Sequence, residues 1–512
     1  MASRRGRKSR TLNTRKGDKE VYEFEDEQNQ KLGSSITDLP RPICVDILLR
    51  LTVKRILICK CVCKPWHNLI SDPEFAKLHF AQGEAYPLVK SLAPTCVSRT
   101  LYLVEPPETN TGFDLGYCDC YGYLKWDCDR HLNMKLDTKL KIPLHNAELV
   151  INSEGTDANM NHLRCKSGVK RKRCIKLIPK DHKLNVVNSC NGLLCLSEPL
   201  QNDPVVVCNP ITGEFINLPV PTQTAKHPSA KKFSDCGLGF SPKTNQYKVI
   251  RMFDQQECQL TCEPISGRGI YSSRVAEIHT LGKGSWKRIG SAPHSTYSYK
   301  LRAATYLNGT LHWFDINNTD YIISFDFDND EFKPFPPPPH ERSNVCYSEK
   351  PNMSIGALRG QLCVCDSSYF EYIELWVMEK YGVQGSWTKQ FSISTMTDHS
   401  RWLRGLYEPM SYLRNGAILF FHRMSNAVYY YDPKKWKLIF LKLSGIKSRF
   451  EAIAHIPSFI SLKDIVMGDN LAVLNIKSRC GEFKLLGETK ALFLKEENAD
   501  TDSDFNISSA GD

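Results

Sequence analysis

Leu307-Asn308-Gly309-Thr310-Leu311-His312-Trp313 is a β-hairpin written in seven letters. Asn-Gly between apolar alternations is the strongest short-range hairpin signal, because tight primed turns need positive φ at both central residues. The same grammar returns at Ser189-Cys190-Asn191-Gly192-Leu193-Leu194, Leu358-Arg359-Gly360-Gln361-Leu362 and Leu413-Arg414-Asn415-Gly416-Ala417-Ile418. From Gly309 onward the hairpin glycines step by 51 and 56 residues. A second marker, an aromatic residue after a polar turn, keeps the same beat. It stands at Thr212-Gly213-Glu214-Phe215, Gly284-Ser285-Trp286, Asn329-Asp330-Glu331-Phe332, Gly385-Ser386-Trp387 and Lys434-Lys435-Trp436. From Trp286 its steps are 46, 55 and 49 residues.

Two independent markers thus share a period near the ~50 residues of a kelch-type propeller blade. Each unit repeats one internal order: a hairpin glycine, a strand such as Tyr321-Ile322-Ile323-Ser324-Phe325-Asp326, a turn, then the outer aromatic strand. Radial repetition keeps every sheet edge short and protected. The unit from Cys236 to Trp286 is irregular, with an insertion around Gln255 to Arg274. Residues 100–146 hold strand-like runs (Leu101-Tyr102-Leu103-Val104, Lys139-Leu140-Lys141-Ile142) without the markers, and are candidates to complete the ring. Spacing alone leaves a β-sandwich or two stacked sheets as the alternative.

The N-terminal side reads differently. Residues 37–80 run from Thr37-Asp38-Leu39-Pro40 through an apolar helix to Cys61-Val62-Cys63-Lys64-Pro65-Trp66, then Leu69-Ile70-Ser71-Asp72-Pro73-Glu74-Phe75. Thr37 or Asp38 is placed to cap a helix, with Pro40 harmless near its first turn. Ile43, Ile47 and Leu51 recur every four residues, with Leu48 alongside. Val53, Ile56 and Leu57 begin a second amphipathic segment, and Val62, Trp66 and Leu69 mark a third. Asp72-Pro73 is a fresh start signal, Asp as N-cap and Pro at the first helical position. Helices this few and short bury little surface alone, and domains below about 40–60 residues need their apolar faces covered. The cover is either the neighbouring domain or a partner.

The order of these motifs resembles the F-box, in the version found in plants, without a gap from Leu39 to Phe80. The resemblance implies docking to the Skp-type adaptor of a Skp–cullin–F-box ubiquitin ligase. Carried over by position, Leu39, Pro40, Ile43, Ile47, Leu51, Val62 and Trp66 would form the adaptor-facing and core surface. Three residues depart from the family pattern: Pro42, Thr52 in place of a customary proline, and Arg55 in place of a small polar residue. The later region has its own resemblance. Asn188-Ser189-Cys190-Asn191-Gly192-Leu193-Leu194-Cys195, Cys208-Asn209-Pro210-Ile211-Thr212-Gly213-Glu214 and Gly237-Leu238-Gly239-Phe240-Ser241-Pro242-Lys243 look like the plant F-box-associated interaction domain. That domain is a kelch-like β-propeller with a target-binding role, and the resemblance covers residues 185–460.

Composition fits a modular intracellular protein. The apolar fraction of 41% suffices for a large core, and no apolar run approaches the ~20 residues of a membrane span. The chain carries 20 cysteines with no signal-peptide pattern, and Cys195, Cys208, Cys363 and Cys365 fall inside apolar strand runs. They read as reduced thiols acting as small hydrophobes, so the sequons at Asn308 and Asn506 carry no weight. Cys118, Cys120, Cys128 and His131 lack the paired spacing of a zinc knuckle, and Cys258 and Cys262 are a lone pair. Asp398-His399-Ser400 has a hydrolase's letters, but triad members meet through the fold rather than by adjacency. No metal, cofactor or catalytic role is assigned.

The net charge of +11 is uneven, with Arg4, Arg5, Arg7, Lys8, Arg10, Arg15, Lys16 and Lys19 near the start. Lys170-Arg171-Lys172-Arg173 forms a second basic block, a candidate nuclear-import signal. Nucleic-acid binding is disfavoured, because the frameworks that read it are missing.

The expected fold is mainly β with a small all-α N-terminal domain. Residues 1–33 read as a disordered basic tail, 34–82 as the F-box and 83–184 as an irregular connecting region with some strands and a basic loop. Residues 185–460 read as the propeller, and 461–512 as closing strands and an acidic disordered tail. The expected function is that of a non-enzymatic substrate-recognition subunit. Its F-box docks the Skp-type adaptor, and through it cullin and RING subunits. Its propeller holds an unknown protein target, in the nucleus, the cytoplasm or both. The alternatives are a lectin-like, non-degradative binding protein and a propeller enzyme with a vestigial F-box.

Overall fold

The computed structural model describes residues 39–92, 100–105, 114–116, 131–136, 138–143, 184–199, 202–220, 234–256, 272–293, 304–314, 322–339, 352–368, 371–395, 405–444, 446, 449–466 and 472–476. Four short helices open it: α1 (Arg41–Leu49), α2 (Val53–Cys59), α3 (Lys64–Ile70) and α4 (Pro73–Gln82). Strands β1 (Tyr86–Ser91), β2 (Thr100–Leu103), β3 (Asp114–Gly116), β4 (His131–Lys135) and β5 (Thr138–Lys141) follow. A first run of strands is β6 (Asn185–Cys190), β7 (Leu193–Ser197), β8 (Pro204–Asn209) and β9 (Glu214–Asn217). A second run is β10 (Asp235–Ser241), β11 (Gln246–Gln256), β12 (Ser272–Thr280) and β13 (Lys287–Ser291). The third is β14 (Thr305–Leu307), β15 (Thr310–Phe314), β16 (Ile322–Asp326) and β17 (Glu331–Phe335). The fourth is β18 (Met353–Leu358), β19 (Gln361–Asp366), β20 (Tyr372–Met378) and β21 (Trp387–Ser394). The fifth is β22 (Tyr407–Tyr412), β23 (Ile418–His422), β24 (Ala427–Asp432) and β25 (Lys437–Ser444). The described chain closes with β26 (Phe450–His455), α5 (Leu462–Ile465) and β27 (Leu474–Asn475). By internal packing it divides into two units, residues 1–47 and 48–512.

Among the described residues the strands form six sheets, the blades of a β-propeller. Blades II to VI take β6–β9, β10–β13, β14–β17, β18–β21 and β22–β25 in meander order. Blade I is ordered β26-β1-β2-β5, so its inner strand comes from the other end of the chain. Six residues of β26 pair antiparallel with β1, from Tyr86↔His455 to Ser91↔Phe450. Inner strands touch around the ring, β26 to β6, β6 to β10, β14 to β18, β18 to β22 and β22 to β26, while β10 meets β15. The stretch 83–184, read from sequence as a connecting region, therefore supplies three strands of the closing blade. Blade II gains β27 beside β9, and blade VI gains β4, parallel to β25, with β3 outside it.

Local turn chemistry explains the meander. Asn308 and Gly309 take φ of 49° and 78°, the two positive values of a primed turn. Asn191-Gly192 and Arg359-Gly360 repeat that pair of signs. Gly416 serves a longer loop, in which the Leu413 amide donates to the Ala417 carbonyl at 2.8 Å. The irregular third blade uses Ser241 to Gln246 instead, with Asn245 at φ 54°. Each marked glycine therefore joins an inner strand to the next strand out.

The core lies between blades. Ile250, Met252 and Ile278 of blade III pack on Leu311, Trp313 and Phe325 of blade IV. Across that seam Gly239 lies so close to Phe327 that a Cβ would sit 1.9 Å from its ring. Inner strands are also stitched by side chains. Asn188 donates to and accepts from the backbone of Leu238, both at 2.9 Å. Thr305 donates to the Ile355 carbonyl at 2.9 Å, and Ser354 to that of Tyr407 at 2.6 Å. Cys195, Cys208, Cys363 and Cys365 are fully buried free thiols within strands. His312 and Trp313 are both buried, although strand alternation puts them on opposite faces of blade IV.

The outer aromatics split into two kinds. Trp286 and Trp387 are buried and donate their indole N–H to Pro219 and Pro336, at 2.8 and 3.1 Å. Each thereby pins the exit of the preceding blade. Trp436, at the equivalent turn of blade VI, is 75% exposed.

Candidate docking surfaces

In the first unit, the Pro40 carbonyl accepts the amides of Ile43 and Cys44, at 2.9 and 3.2 Å, and so starts α1. Pro42 falls in that first turn, where a missing N–H leaves no bond unmade. Thr37 and Asp38, expected as caps, lie outside the described residues. Leu39, Pro40, Ile43 and Ile47 are all exposed.

In the second unit, Leu51 and Trp66 are half-buried, while Val62 is 65% exposed. Val62 lies in the turn before α3 rather than on a helix. Ile58 is another bare aliphatic side chain of this unit, 56% exposed on α2. Sequence periodicity had no reason to single it out, because its neighbours Ile56 and Leu57 carry the same signal. Val53, Ile56, Ile70 and Phe75 form the buried side. Arg55 is exposed, and Thr52 caps α2 in extended conformation without a side-chain hydrogen bond. The sequence-predicted start of the last helix holds: Asp72 accepts from the Glu74 amide at 2.9 Å with Pro73 next to it.

Helix α4 joins the ring without a spacer. α4 ends at Gln82 and β1 begins at Tyr86. Phe75 and His79 of α4 meet Phe459, with His79 edge-on at 4.9 Å between ring centroids. Burial there lowers His79 to about 4, so the ring is neutral. Glu105, just past β2, accepts from the Val53 amide at 2.7 Å and from the Thr138 hydroxyl at 2.8 Å. Burial raises the Glu105 carboxyl, opposed by the Thr138 hydroxyl and by the amides of Val53 and Lys54. Nothing in the local sequence points to Glu105, whose partner lies half a hundred residues upstream.

The ring encloses a central cavity of about 670 Å³. Inner strands β6, β14, β18, β22 and β26 line it, and Phe80 to Ala85 border it at the hairpin end. Glu408 lines the cavity and holds Arg423 through three hydrogen bonds of 2.7 to 3.1 Å. Desolvation works against the guanidinium charge, yet Glu408 outweighs it and raises Arg423. Arg359 stacks on Tyr412 at 4.6 Å beside the hairpin turns.

The two faces of the ring differ. In a four-strand meander the first and third turns emerge on one face, the second turn and the crossover to the next blade on the other. The face with the glycine hairpins carries short turns and α4. On the opposite face β9, β11, β13 and β17 end and β10, β12, β14 and β18 begin. Residues 257–271 of the insertion in blade III lie outside the described residues, as do Lys170, Arg171, Lys172 and Arg173. Cys118, Cys120, Cys128, Cys258, Cys262 and Asp398-His399-Ser400 lie outside them too.

Comparison with known proteins fits both ends. Residues 149–466 match the F-box associated beta propeller domain, and residues 36–80 match the F-box-like family. An Arabidopsis thaliana F-box protein, At3g07870, is 30% identical over 53% of this chain and 69% of its own length. The F-box/kelch-repeat protein At3g23880 of the same plant is 26% identical over 84% of this chain and 97% of its own. F-box protein CPR1, also from Arabidopsis, is 24% identical over 86% and 92%.

Proposed function

Because the chain belongs to the plant F-box proteins with an F-box associated β-propeller, we propose that it is the substrate-recognition subunit of a Skp–cullin–F-box ubiquitin ligase. One observation carries the reading. The F-box segment of the second unit leaves large aliphatic side chains, Ile58 and Val62, bare where a helical domain would normally bury them. A Skp-type adaptor covering them would bring the cullin, the RING subunit and a charged conjugating enzyme. The protein does no bond chemistry itself; it raises the effective concentration of target lysines near the thioester. Target contacts come from blade loops, the insertion around Gln255 to Arg274 first, because loops on a rigid scaffold carry recognition. Lys170-Arg171-Lys172-Arg173 serves nuclear import, with the protein in the nucleus, the cytoplasm or both.

The test is co-expression of the full chain with a plant Skp-type adaptor, followed by co-purification. The control is a Leu39→Ala/Pro40→Ala/Trp66→Ala chain, with Ile58→Asp/Val62→Asp beside it. Co-purification that either control abolishes supports the reading. Folded wild-type chain that leaves the adaptor behind overturns it.

A further inference from the structure

We infer that Glu105 is a positioning residue for adaptor docking: a carboxylate of the closing blade that caps α2 from outside the F-box and fixes how that helix is presented. The inference rests on the adaptor reading above.

An α-helix leaves its first amides without partners, and the residue before it normally supplies a side-chain acceptor. Thr52 occupies that position and makes no such bond. Glu105 takes the role across 52 residues of sequence, accepting from Val53 with one oxygen and from Thr138 with the other. Its negative charge suits a helix N-terminus. Thr138 opens β5, so the carboxylate bridges two strands of blade I to the first turn of α2. The bond reaches exposed surface quickly. Ile58 lies five residues beyond Val53 on the same helix, and Val62 lies in the turn that follows. A seven-residue helix without its cap frays, because so short a helix has little stability of its own. Fraying at Val53 would let Ile58 and Val62 wander without touching the ring's core.

The cap also ties docking to ring closure. Blade I exists only when β26 returns to pair with β1. The same strand leads on to Phe459, which packs on α4. A chain whose ring has not closed lacks the aromatic clamp and leaves β1, the neighbour of β2, unpaired on its inner side. Adaptor affinity would then discriminate closed chains from incompletely folded ones.

The experiment compares full-length wild type, Glu105→Ala, Glu105→Gln and Thr138→Val by three readouts. These are hydrogen exchange of the α2 segment without adaptor, the Kd for a plant Skp-type adaptor, and the melting of the ring. Glu105→Ala is expected to speed exchange at the start of α2 and to weaken the adaptor about five- to tenfold, the scale of a lost cap. Glu105→Gln keeps one acceptor and recovers part of the affinity, and the ring's melting stays near wild type. Should Glu105→Ala melt early, Glu105→Gln and Thr138→Val carry the comparison. Unchanged exchange in Glu105→Ala overturns the cap. Faster exchange with unchanged adaptor affinity overturns the positioning role. Wild type that ignores the adaptor overturns the parent reading and the positioning role with it, while exchange still decides the cap.

Discussion

Blade IV and blade I have the same four-stranded form and opposite histories. Blade IV is built from one continuous stretch, Thr305 to Phe335, whose turns can close as soon as the stretch exists. Blade I waits for Phe450–His455 to return to Tyr86–Ser91. Local pairing costs little loop entropy, whereas pairing across the whole ring is available only after the other blades have formed. Blade I is also where α2 and α4 are fastened, through Glu105 and, just beyond β26, Phe459. Closure and presentation therefore share one place.

The largest expected effect breaks that difference outright. Ending the chain after Ser444 removes β26 and leaves β1 unpaired on its inner side. The cooperative thermal transition seen by circular dichroism should disappear, blade IV melting with the rest. A truncated chain that melts like wild type would show that blade I is dispensable to the ring.

Point changes in the two blades ask whether they share one transition. Phe325 is fully buried at the seam of blades III and IV, and Phe325→Ala should cost about 3–5 kcal/mol. Leu101 is buried in β2 of blade I, and Leu101→Ala should cost about 2–5 kcal/mol. Denaturant titration should move a single midpoint in both variants. Two separate transitions in either would mean the closing blade folds on its own account.

The same contrast explains what the sequence revealed. Blades II, IV, V and VI were legible because Asn191-Gly192, Asn308-Gly309, Arg359-Gly360 and Gly416 report backbone signs that few other residues tolerate. Blade III was harder to read, since its first turn uses Asn245 rather than glycine. Blade I was legible only in part: the strand-like runs within 100–146 supply β2 and β5, but its inner hairpin does not exist, and pairing between β26 and β1 leaves no trace in local periodicity. The aromatic marker also overstated its uniformity, because Trp286 and Trp387 are clamps while Trp436 stands in solvent. On the docking side, apolar spacing found the F-box helices and Asp72-Pro73 found the start of α4. Periodicity could not tell bare Ile58 from buried Ile56, which takes the third dimension.

Acid should weaken both blades through histidines that the fold keeps neutral. Burial lowers His312 of blade IV to about 4 and His455 of blade I to about 3. An unfolded histidine titrates near ~6.5. Between those values the unfolded chain binds more protons, so stability rises with pH. The contribution is complete above pH ~6.5 and is lost as pH falls toward the folded values, at about 1.4 kcal/mol per pH unit for each histidine. His312→Gln and His455→Gln should each flatten the pH dependence of the urea midpoint between pH 6.5 and 4. An unchanged slope in one of them would mean that blade admits the proton without unfolding.

The smallest effect separates clamped blades from the unclamped one. In blade V the Trp387 indole donates to the Pro336 carbonyl, just beyond the last strand of blade IV. Trp387→Phe keeps the ring's bulk and deletes that bond, leaving a carbonyl short of a partner, for about 1 kcal/mol. Trp436 reaches no such carbonyl in the described structure and is largely in water, so Trp436→Phe should stay within about 0.5 kcal/mol. β25, which it precedes, already has β4 along its outer side, and that added strand can hold blade VI where an indole holds blade IV's exit. Equal losses from the two substitutions would break this distinction and give Trp436 a structural contact of its own. A loss confined to Trp387 would show that the repeated aromatic letter marks a clamp only where a preceding blade's exit lies within its reach.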